Sequence, residues 1–213
     1  MNTFKDRLRG RSNRICRANI AIVLLPLLII VLPANSQEEY REFYSESIRT
    51  TNTGMYVLGG WAITNIASGA YGWSRTDGDT KYFHQMNLFW NTVNLSIAGY
   101  GLYSNSRLDI SAMGPDEIME RHIRTERILL INTALNVGYI GGGFLMRHFA
   151  GRSSNHNYLW KGYGNSLMMQ GGFLLLFDLA LYGILRTQRN DFLENISVAI
   201  SPGMSTVRFL III

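Results

Sequence analysis

The chain has 213 residues, of which 47% are hydrophobic and only 16% are charged. A soluble domain usually has about 25% charged residues, so this composition favours a membrane protein. Residues 1–17 contain six basic residues and one acidic residue, which account for the whole net charge of +5. The rest of the chain has no net charge, so a domain that binds nucleic acid through a basic face is not expected.

Residues 1–36 are predicted to be a secretory signal peptide. Basic residues precede an apolar core at 20–32, and small residues at 34–36 follow as a cleavage site. As a helix this core rises only about 20 Å, less than the ~30 Å of a bilayer interior. The alternative is an uncleaved anchor. The single cysteine, Cys16, lies in this leader, so the processed chain has no thiol for disulfides or zinc–thiolate sites.

Residues 37–53 are predicted to be a polar N-terminal arm, and residues 54–187 a transmembrane domain. Four charge-poor runs lie at 50–74, 82–106, 128–146 and 162–185. Each approaches or exceeds the ~20 residues that a membrane-spanning helix needs. Soluble helices of this length usually carry a charged face. We therefore predict an all-α membrane protein with four transmembrane helices in an up-and-down bundle.

The loops predict the orientation of these helices. If the leader is removed, residue 37 begins outside the cytoplasm, and the loops at 75–81 and 147–161 lie inside. These short loops are denser in lysine and arginine than the outer loop at 107–127, as the positive-inside rule expects. Both ends of the mature chain are therefore expected on the outer side.

The second run carries the clearest pattern of polar residues. Its polar side chains recur at steps of three, four and three: His84, Asn87, Asn91 and Asn94. On a helix those steps place all four on one stripe. Buried amides without partners are costly in lipid, so the stripe is expected to face the other helices.

Further polar residues are expected in the same interior. They are Trp61 and Asn65 in the first run, Asn136 in the third and Gln170 in the fourth. Such residues either form hydrogen bonds between helices or line a polar cavity for a small ligand or water. A buried indole N–H needs a partner. We predict that Trp61 donates to Asn65, one helical turn away, and that Trp90 likewise donates to Asn94.

Asp178 is the only acidic residue inside a predicted span. A charge near the centre of a span costs about 2.5–3.5 kcal/mol on insertion scales, so Asp178 is expected to face the interior or water. Its nearest partner on the same helix is the Tyr182 hydroxyl. Asp178 is interpreted either as a functional group of the interior or as an acid at the outer boundary of the membrane.

The third helix is predicted to begin near Pro115 and to stand about three turns out of the membrane, since acids follow Pro115 directly. His122 and Glu126 lie one turn apart on this extension, either as two metal ligands or as part of a charged surface. A haem or metal site would instead be centred on His84, because this histidine heads the buried stripe.

Small residues at helical spacing predict close helix contacts. One ladder is formed by Gly60, Thr64, Ser68 and Gly72, and a GxxxG motif by Gly138 and Gly142. Such faces allow helices to approach closely. We expect them to serve packing within the chain and contacts in a homo-oligomer.

Residues 190–213 are predicted to form a short C-terminal β-hairpin. Ile196, Val198 and Ile200 alternate with small residues, and Pro202 with Gly203 gives a turn signal. An isolated hairpin is marginal in water, so this one is expected to pack on the helix ends.

Two stretches of the chain resemble known sequences. They are Gly60-Trp61-Ala62 with Asn65-Ile66-Ala67, and Phe83-His84-Gln85-Met86-Asn87 with Trp90-Asn91 and Asn94. These residues resemble an uncharacterised family of small bacterial membrane proteins with four spans. The resemblance covers about residues 54–186 and implies a bacterial source, but no activity, because that family has no known function.

The sequence thus predicts an integral membrane protein, non-enzymatic and without a cofactor, whose Asn- and His-lined interior binds a small ligand. One alternative is a small transporter or channel. Another is a haem- or metal-dependent membrane enzyme centred on His84. The lipid bilayer is the expected partner, and the expected compartment is the bacterial inner membrane, with the mature termini in the periplasm.

Overall fold

A computed structural model describes residues 3–151 and 156–200, with side chains described for residues 37–151 and 156–197. This part of the chain forms four α-helices and one short 3-10 helix. The α-helices are α1 (Thr3–Arg75), α2 (Gly78–Ser106), α3 (Pro115–Ala150) and α4 (Asn157–Ile200), and the 3-10 helix is Ile110–Ala112. The all-α class is confirmed. Cleavage of the leader stays a prediction.

The helices run up and down. α1 and α2 are antiparallel, because Asn52 on α1 pairs with Asn105 on α2, whereas Asn65 pairs with Asn87. α3 and α4 are likewise antiparallel, and α4 also packs along α2. No Cα atoms of α2 and α3 approach within 8 Å in the described residues, but the Trp90 ring on α2 packs edge-on against Tyr139 on α3, with centroids 4.8 Å apart. The helices therefore lie in the spatial order α1, α2, α4, α3.

Glycines bring the helices together at one end of the bundle, which we call the glycine end (residues 69–84 and 143–164). A Cβ atom on Gly143 would lie 2.6 Å from the carbonyl oxygen of Gly164. Only glycine allows α3 and α4 to cross at that distance. Gly78 has a φ of +61° in the turn between α1 and α2, a conformation that other residues rarely adopt.

The opposite end carries most of the charged residues and is called the charged end (residues 37–53, 107–127 and 186–197). Residues 37–53 form no separate arm, because they continue α1 and pack on the other helices. Phe43 and Tyr44 are buried there with Met113 and Ile118. α3 begins at Pro115, as predicted from the proline and the acids that follow it.

The predicted C-terminal β-hairpin is wrong. α4 is helical to Ile200, so the first predicted strand is a helix, and residues 201–213 lie outside the described residues. Phe192 stacks on Phe43 with ring centroids 4.3 Å apart, and Gln188, one turn earlier, donates a hydrogen bond to Thr50. These contacts with α1 follow a helical repeat, and they override the local β-propensity of the alternating residues.

Within the described residues, α3 and α4 are the two helices long and apolar enough to cross a membrane. Large apolar side chains are exposed along α3: Ile128, Leu130, Ile131, Leu135, Val137, Phe144 and Leu145. A continuous apolar surface of this kind is typical of contact with lipid or with a partner. Among the residues whose side chains are described, the most apolar stretches of α1 and α2 are less apolar than those of α3 and α4.

Candidate functional site

A network of amide side chains joins three helices in the interior, and Asn87 on α2 is its centre. The Asn87 side-chain oxygen accepts hydrogen bonds from Gln170 Nε2 at 2.7 Å and from Ser166 Oγ at 2.9 Å, both on α4. Its amide nitrogen donates to Asn65 on α1 at 3.2 Å. Asn87 is 2% exposed, so the network is closed to solvent. We call these residues, with Trp61, the amide network.

The two tryptophans do not have the predicted partners. Trp61 Nε1 donates to Gln170 Oε1 on α4 at 3.0 Å, whereas Asn65 donates to the backbone oxygen of Trp61. The Trp61 ring stacks on Phe173 with centroids 3.9 Å apart. Trp90 Nε1 is buried and has no hydrogen-bond partner in the described part of the chain. An orphan donor of this kind is unusual in a folded interior.

Of the predicted stripe on α2, the three asparagines are buried and His84 is half-buried, and the asparagines divide into two parts. Asn91 donates to the backbone oxygen of Asn87, and Asn94 donates to Asn91 Oδ1 at 3.3 Å. All three asparagines are buried. Asn87 belongs to the amide network, whereas Asn94 lines a cavity farther along the helix.

This cavity has a volume of about 350 Å³ and is called the lateral cavity. Its polar lining consists of Trp90, Asn94, Asn132, Asn136, Tyr139 and Asp178, and its apolar lining of Leu58, Val93, Ile97, Leu135, Leu174 and Phe177. The lining comes from all four helices, and in it Trp90 on α2 packs against Tyr139 on α3. Val93, Ile97 and Leu135 are lining residues that are also exposed, so the cavity is open to the side of the bundle at these residues.

Asp178 lies in the wall of the lateral cavity and is 5% exposed. Its Oδ2 accepts a hydrogen bond from Asn136 Nδ2 on α3 at 2.7 Å. The predicted partner, Tyr182, is instead paired with Arg186. Asp178 thus faces the interior, and the lateral cavity brings it together with Trp90 and Asn94.

His84 lies apart from both groups of polar residues, at the glycine end. It packs on α1 so closely that a Cβ atom on Gly72 would lie 2.3 Å from the His84 ring. His148 and His156 are exposed. Among the described residues, no three His, Cys, Asp or Glu side chains lie together as a metal site. The position of His84 is therefore explained by helix packing.

The small-residue ladders have mixed roles. Gly72 and Gly143 are close-contact positions, as described above, whereas nothing lies within 4 Å of a Cβ built on Gly60 or Gly138. The last two glycines face away from the rest of the bundle. Both glycines are exposed.

A second group of polar residues lies at the charged end, and the sequence indicated only two of its members, His122 and Glu126. Ser47 Oγ lies 2.8 Å from His122 Nδ1, and His122 Nε2 lies 3.1 Å from Glu126 Oε1. Arg189 Nε donates to the same Glu126 oxygen at 2.9 Å. His122 and Glu126 were expected on a solvated surface, but they are 0% and 5% exposed because residues 37–53 of α1 cover them. Ser47 is 75 positions from His122 in the chain, so no local pattern joins the two.

The hydrogen bonds define the state of His122. Its Nε2 faces two acceptors, Glu126 and the backbone oxygen of Leu185, so Nε2 carries the proton. In the neutral ring, Nδ1 then accepts from the Ser47 hydroxyl. Burial lowers the pKa of His122 below its ordinary value, and the Glu126 carboxylate offsets only part of that effect. Because a substrate cannot reach a fully buried imidazole, this group acts as a connection among α1, α3 and α4.

One comparison with known proteins confirms that the chain resembles an uncharacterised family. No curated protein and no solved structure matches this chain. A family of unknown function (DUF6992) matches residues 57–179, which is more than half of the chain and includes both the amide network and the lateral cavity. The chain therefore belongs to this family of unknown function, DUF6992.

Proposed function

We propose that this chain is an integral membrane protein, without enzymatic activity, that binds a small lipid-soluble ligand in the lateral cavity. The observation that carries the proposal is a cavity of about 350 Å³ whose mostly apolar wall also holds the buried Asp178 carboxyl group, beside Asn94 and Asn136. Polar groups set into a mostly apolar cavity are the usual features of a ligand site.

Membrane insertion is supported by α3 and α4, which are long and apolar enough to span a bilayer. α2 lies along α4, and it exposes Phe89, Val93 and Ile97 in one row along the helix. We therefore place α1 and α2 in the bilayer as well, although their interior asparagines reduce their mean hydropathy. The inner membrane and a periplasmic charged end follow from the leader and the loops.

The packing favours binding over conduction. At the glycine end, the backbones of Gly143 and Gly164 are nearly in contact, and the amide network lies between that end and the lateral cavity. A continuous polar path through the bundle would require the Gly143–Gly164 contact and the amide network to open. The amide network forms its hydrogen bonds within the protein, which supports a role in holding α1, α2 and α4 together.

The proposal is tested by quenching of tryptophan fluorescence with bromoform, a small lipid-soluble probe, on the full chain in lipid nanodiscs. We expect a saturable part of the quenching that disappears in Trp90→Phe. Leu174→Phe, which reduces the cavity volume, should abolish the saturable part. The matched control is Leu176→Phe, since Leu176 is two residues away but 70% exposed. Quenching that rises without saturation, equally in all variants, would contradict the proposal.

A further inference from the structure

We infer that the lateral cavity holds the positively charged head of a lipid-soluble amine, with the Asp178 carboxylate as its counter-ion. This inference rests on the proposed function and names the chemical class of the ligand. It follows from the charge of Asp178, from the atoms of the cavity wall that have no hydrogen-bond partner, and from the side of the bundle on which the cavity opens.

Asp178 is an acid of the cavity wall without a basic partner. It is 5% exposed, and none of the ion pairs among the described residues includes it. Its Oδ2 accepts from Asn136, whereas its Oδ1 has no hydrogen-bond partner in the described residues and is not one of the fully enclosed atoms there. Acids inside membranes usually pair with a basic group or serve as the counter-ion of a ligand. A cationic ligand would therefore supply the partner that the described residues do not.

The two buried asparagines of the cavity wall also have free oxygens. Asn91 donates to the backbone oxygen of Asn87, so the Asn91 side-chain oxygen is the atom that accepts from Asn94 Nδ2. Asn136 must likewise direct its Nδ2 at Asp178, because a carboxylate only accepts. These bonds fix the orientation of both amides. Oδ1 of Asn94 and Oδ1 of Asn136 are left without a partner among the described residues, and neither is fully enclosed.

An ammonium group matches a wall that presents a carboxylate and two amide oxygens. It donates up to three hydrogen bonds, and its charge balances that of Asp178. Hydrogen bonds from a cation to a carboxylate are roughly twice as strong as bonds between neutral groups. A hydroxyl group donates only one hydrogen bond and leaves the charge unbalanced, and an anion would place like charges together.

The apolar part of the cavity determines the rest of the ligand. Leu174 and Phe177 line it, and its opening to the side of the bundle lies at Val93, Ile97 and Leu135. An amine with a hydrocarbon chain can therefore enter from the acyl chains of the bilayer, whereas a hydrated metal ion cannot use such an apolar opening. A volume of about 350 Å³ is at the lower end of the range for small-molecule sites, so an amine of about eight carbons is a suitable probe.

The experiment is photolabelling of the full chain in phosphatidylcholine nanodiscs with an octylamine that carries a diazirine in its chain. Labelling is quantified by mass spectrometry of peptides from α2 to α4. Unlabelled octylamine and 1-octanol are compared as competitors at equal mole fractions in the lipid, so that their different partitioning does not enter the comparison. We expect octylamine to compete about 10-fold better than 1-octanol, which corresponds to one charge-assisted hydrogen bond at a buried group.

Two variants locate the preference. Asp178→Asn removes the charge but keeps the shape of the side chain, so the advantage of octylamine over 1-octanol should fall to about 2-fold or less. The matched control is Asp191→Asn on the same helix, since Asp191 is exposed and its substitution should leave the advantage unchanged. Thermal melting of each variant shows whether it is folded, and the comparison of the two competitors on the native chain decides if Asp178→Asn does not fold.

The inference is overturned if 1-octanol competes as well as octylamine on the native chain, or if folded Asp178→Asn keeps the full advantage. In either case saturable bromoform quenching would leave the proposed function in place, whereas its loss would end both.

Discussion

The side-chain oxygen of Asn87 accepts a hydrogen bond from Gln170 Nε2 at 2.7 Å and so joins α2 to α4. The same oxygen accepts from Ser166, and the same side chain donates to Asn65 on α1. A single carboxamide therefore links three helices by hydrogen bonds. In a closed interior, where water cannot replace lost partners, such a residue should be difficult to substitute.

We expect Asn87→Ala to reduce the free energy of unfolding by about 2 kcal/mol, because it removes three hydrogen bonds and leaves buried partners unsatisfied. Titration with a denaturing detergent in mixed micelles measures this change. The control is Asn190→Ala on α4, since Asn190 is exposed and should change stability by less than about 0.5 kcal/mol. Equal effects of the two substitutions would show that the amide network does not stabilise the bundle.

The crossing of α3 and α4 gives a second prediction. Gly143→Ala places a Cβ 2.6 Å from the Gly164 oxygen, so we expect a loss of about 2 kcal/mol or more. Gly141→Ala, on the same helix, meets nothing within 4 Å and should be neutral or stabilising by up to about 1 kcal/mol. Comparing the two in the same titration separates helix propensity from packing. The crossing geometry is wrong if both substitutions stabilise.

The buried ion pair at the charged end gives a third prediction. Arg189→Met should destabilise by about 3 kcal/mol, because it leaves the Glu126 carboxylate buried without its cation. The comparison is Arg121→Met, which breaks the exposed pair with Glu117 and should cost less than about 1 kcal/mol. Similar costs for the two arginines would indicate that Glu126 reaches water.

The lowered pKa of His122 predicts a dependence of stability on pH. Above about pH 6.5 the imidazole is neutral in both the folded and the unfolded chain. Below that pH the unfolded chain takes up a proton that the buried ring resists, so the folded state loses stability as the pH falls. The groups that face the ring are Ser47, Glu126 and Arg189.

The check is the melting temperature of the chain and of His122→Gln at pH 7.5 and pH 5.5. We expect the melting temperature of the native chain to fall further than that of the variant when the pH is lowered from 7.5 to 5.5. A native chain that gains stability relative to the variant on acidification would mean that Glu126 outweighs burial and raises the pKa.

The helical C-terminal part of α4 is tested by single cysteines at positions 192 to 196 in a chain with Cys16→Ser. Phe192 and Ile196 face the bundle, whereas Leu193, Glu194 and Asn195 are exposed. Position 194 should therefore react quickly with a water-soluble maleimide, and positions 192 and 196 slowly. In a strand all three would share one face and react alike.

Some features of the fold follow from local sequence. The steps of three and four along α2 predict that Asn87, Asn91 and Asn94 share a buried stripe, and they do. The start of α3 follows from Pro115 and the acids after it. Such features depend on residues within one or two helical turns, so the sequence alone is sufficient for them.

Other features depend on residues far apart in the chain. Trp61 donates to Gln170, 109 positions away, although Asn65 is one turn away. The C-terminal residues carry a local strand pattern, but packing of Phe192 on Phe43 makes them helical. A local pattern states only that a residue needs a partner or a covered face, and several partners satisfy that need equally.

The sequence by itself determined that the four charge-poor runs are helical and that Asn87, Asn91 and Asn94 are buried. Only the tertiary structure decided that the α2 and α3 backbones stand apart, that Trp90 packs on Tyr139 in the wall of the lateral cavity, and that His122 is enclosed. The physical reason is that periodicity fixes which side of a helix is covered. Which helix covers that side, and where gaps remain, depends on how closely particular pairs of helix backbones approach each other.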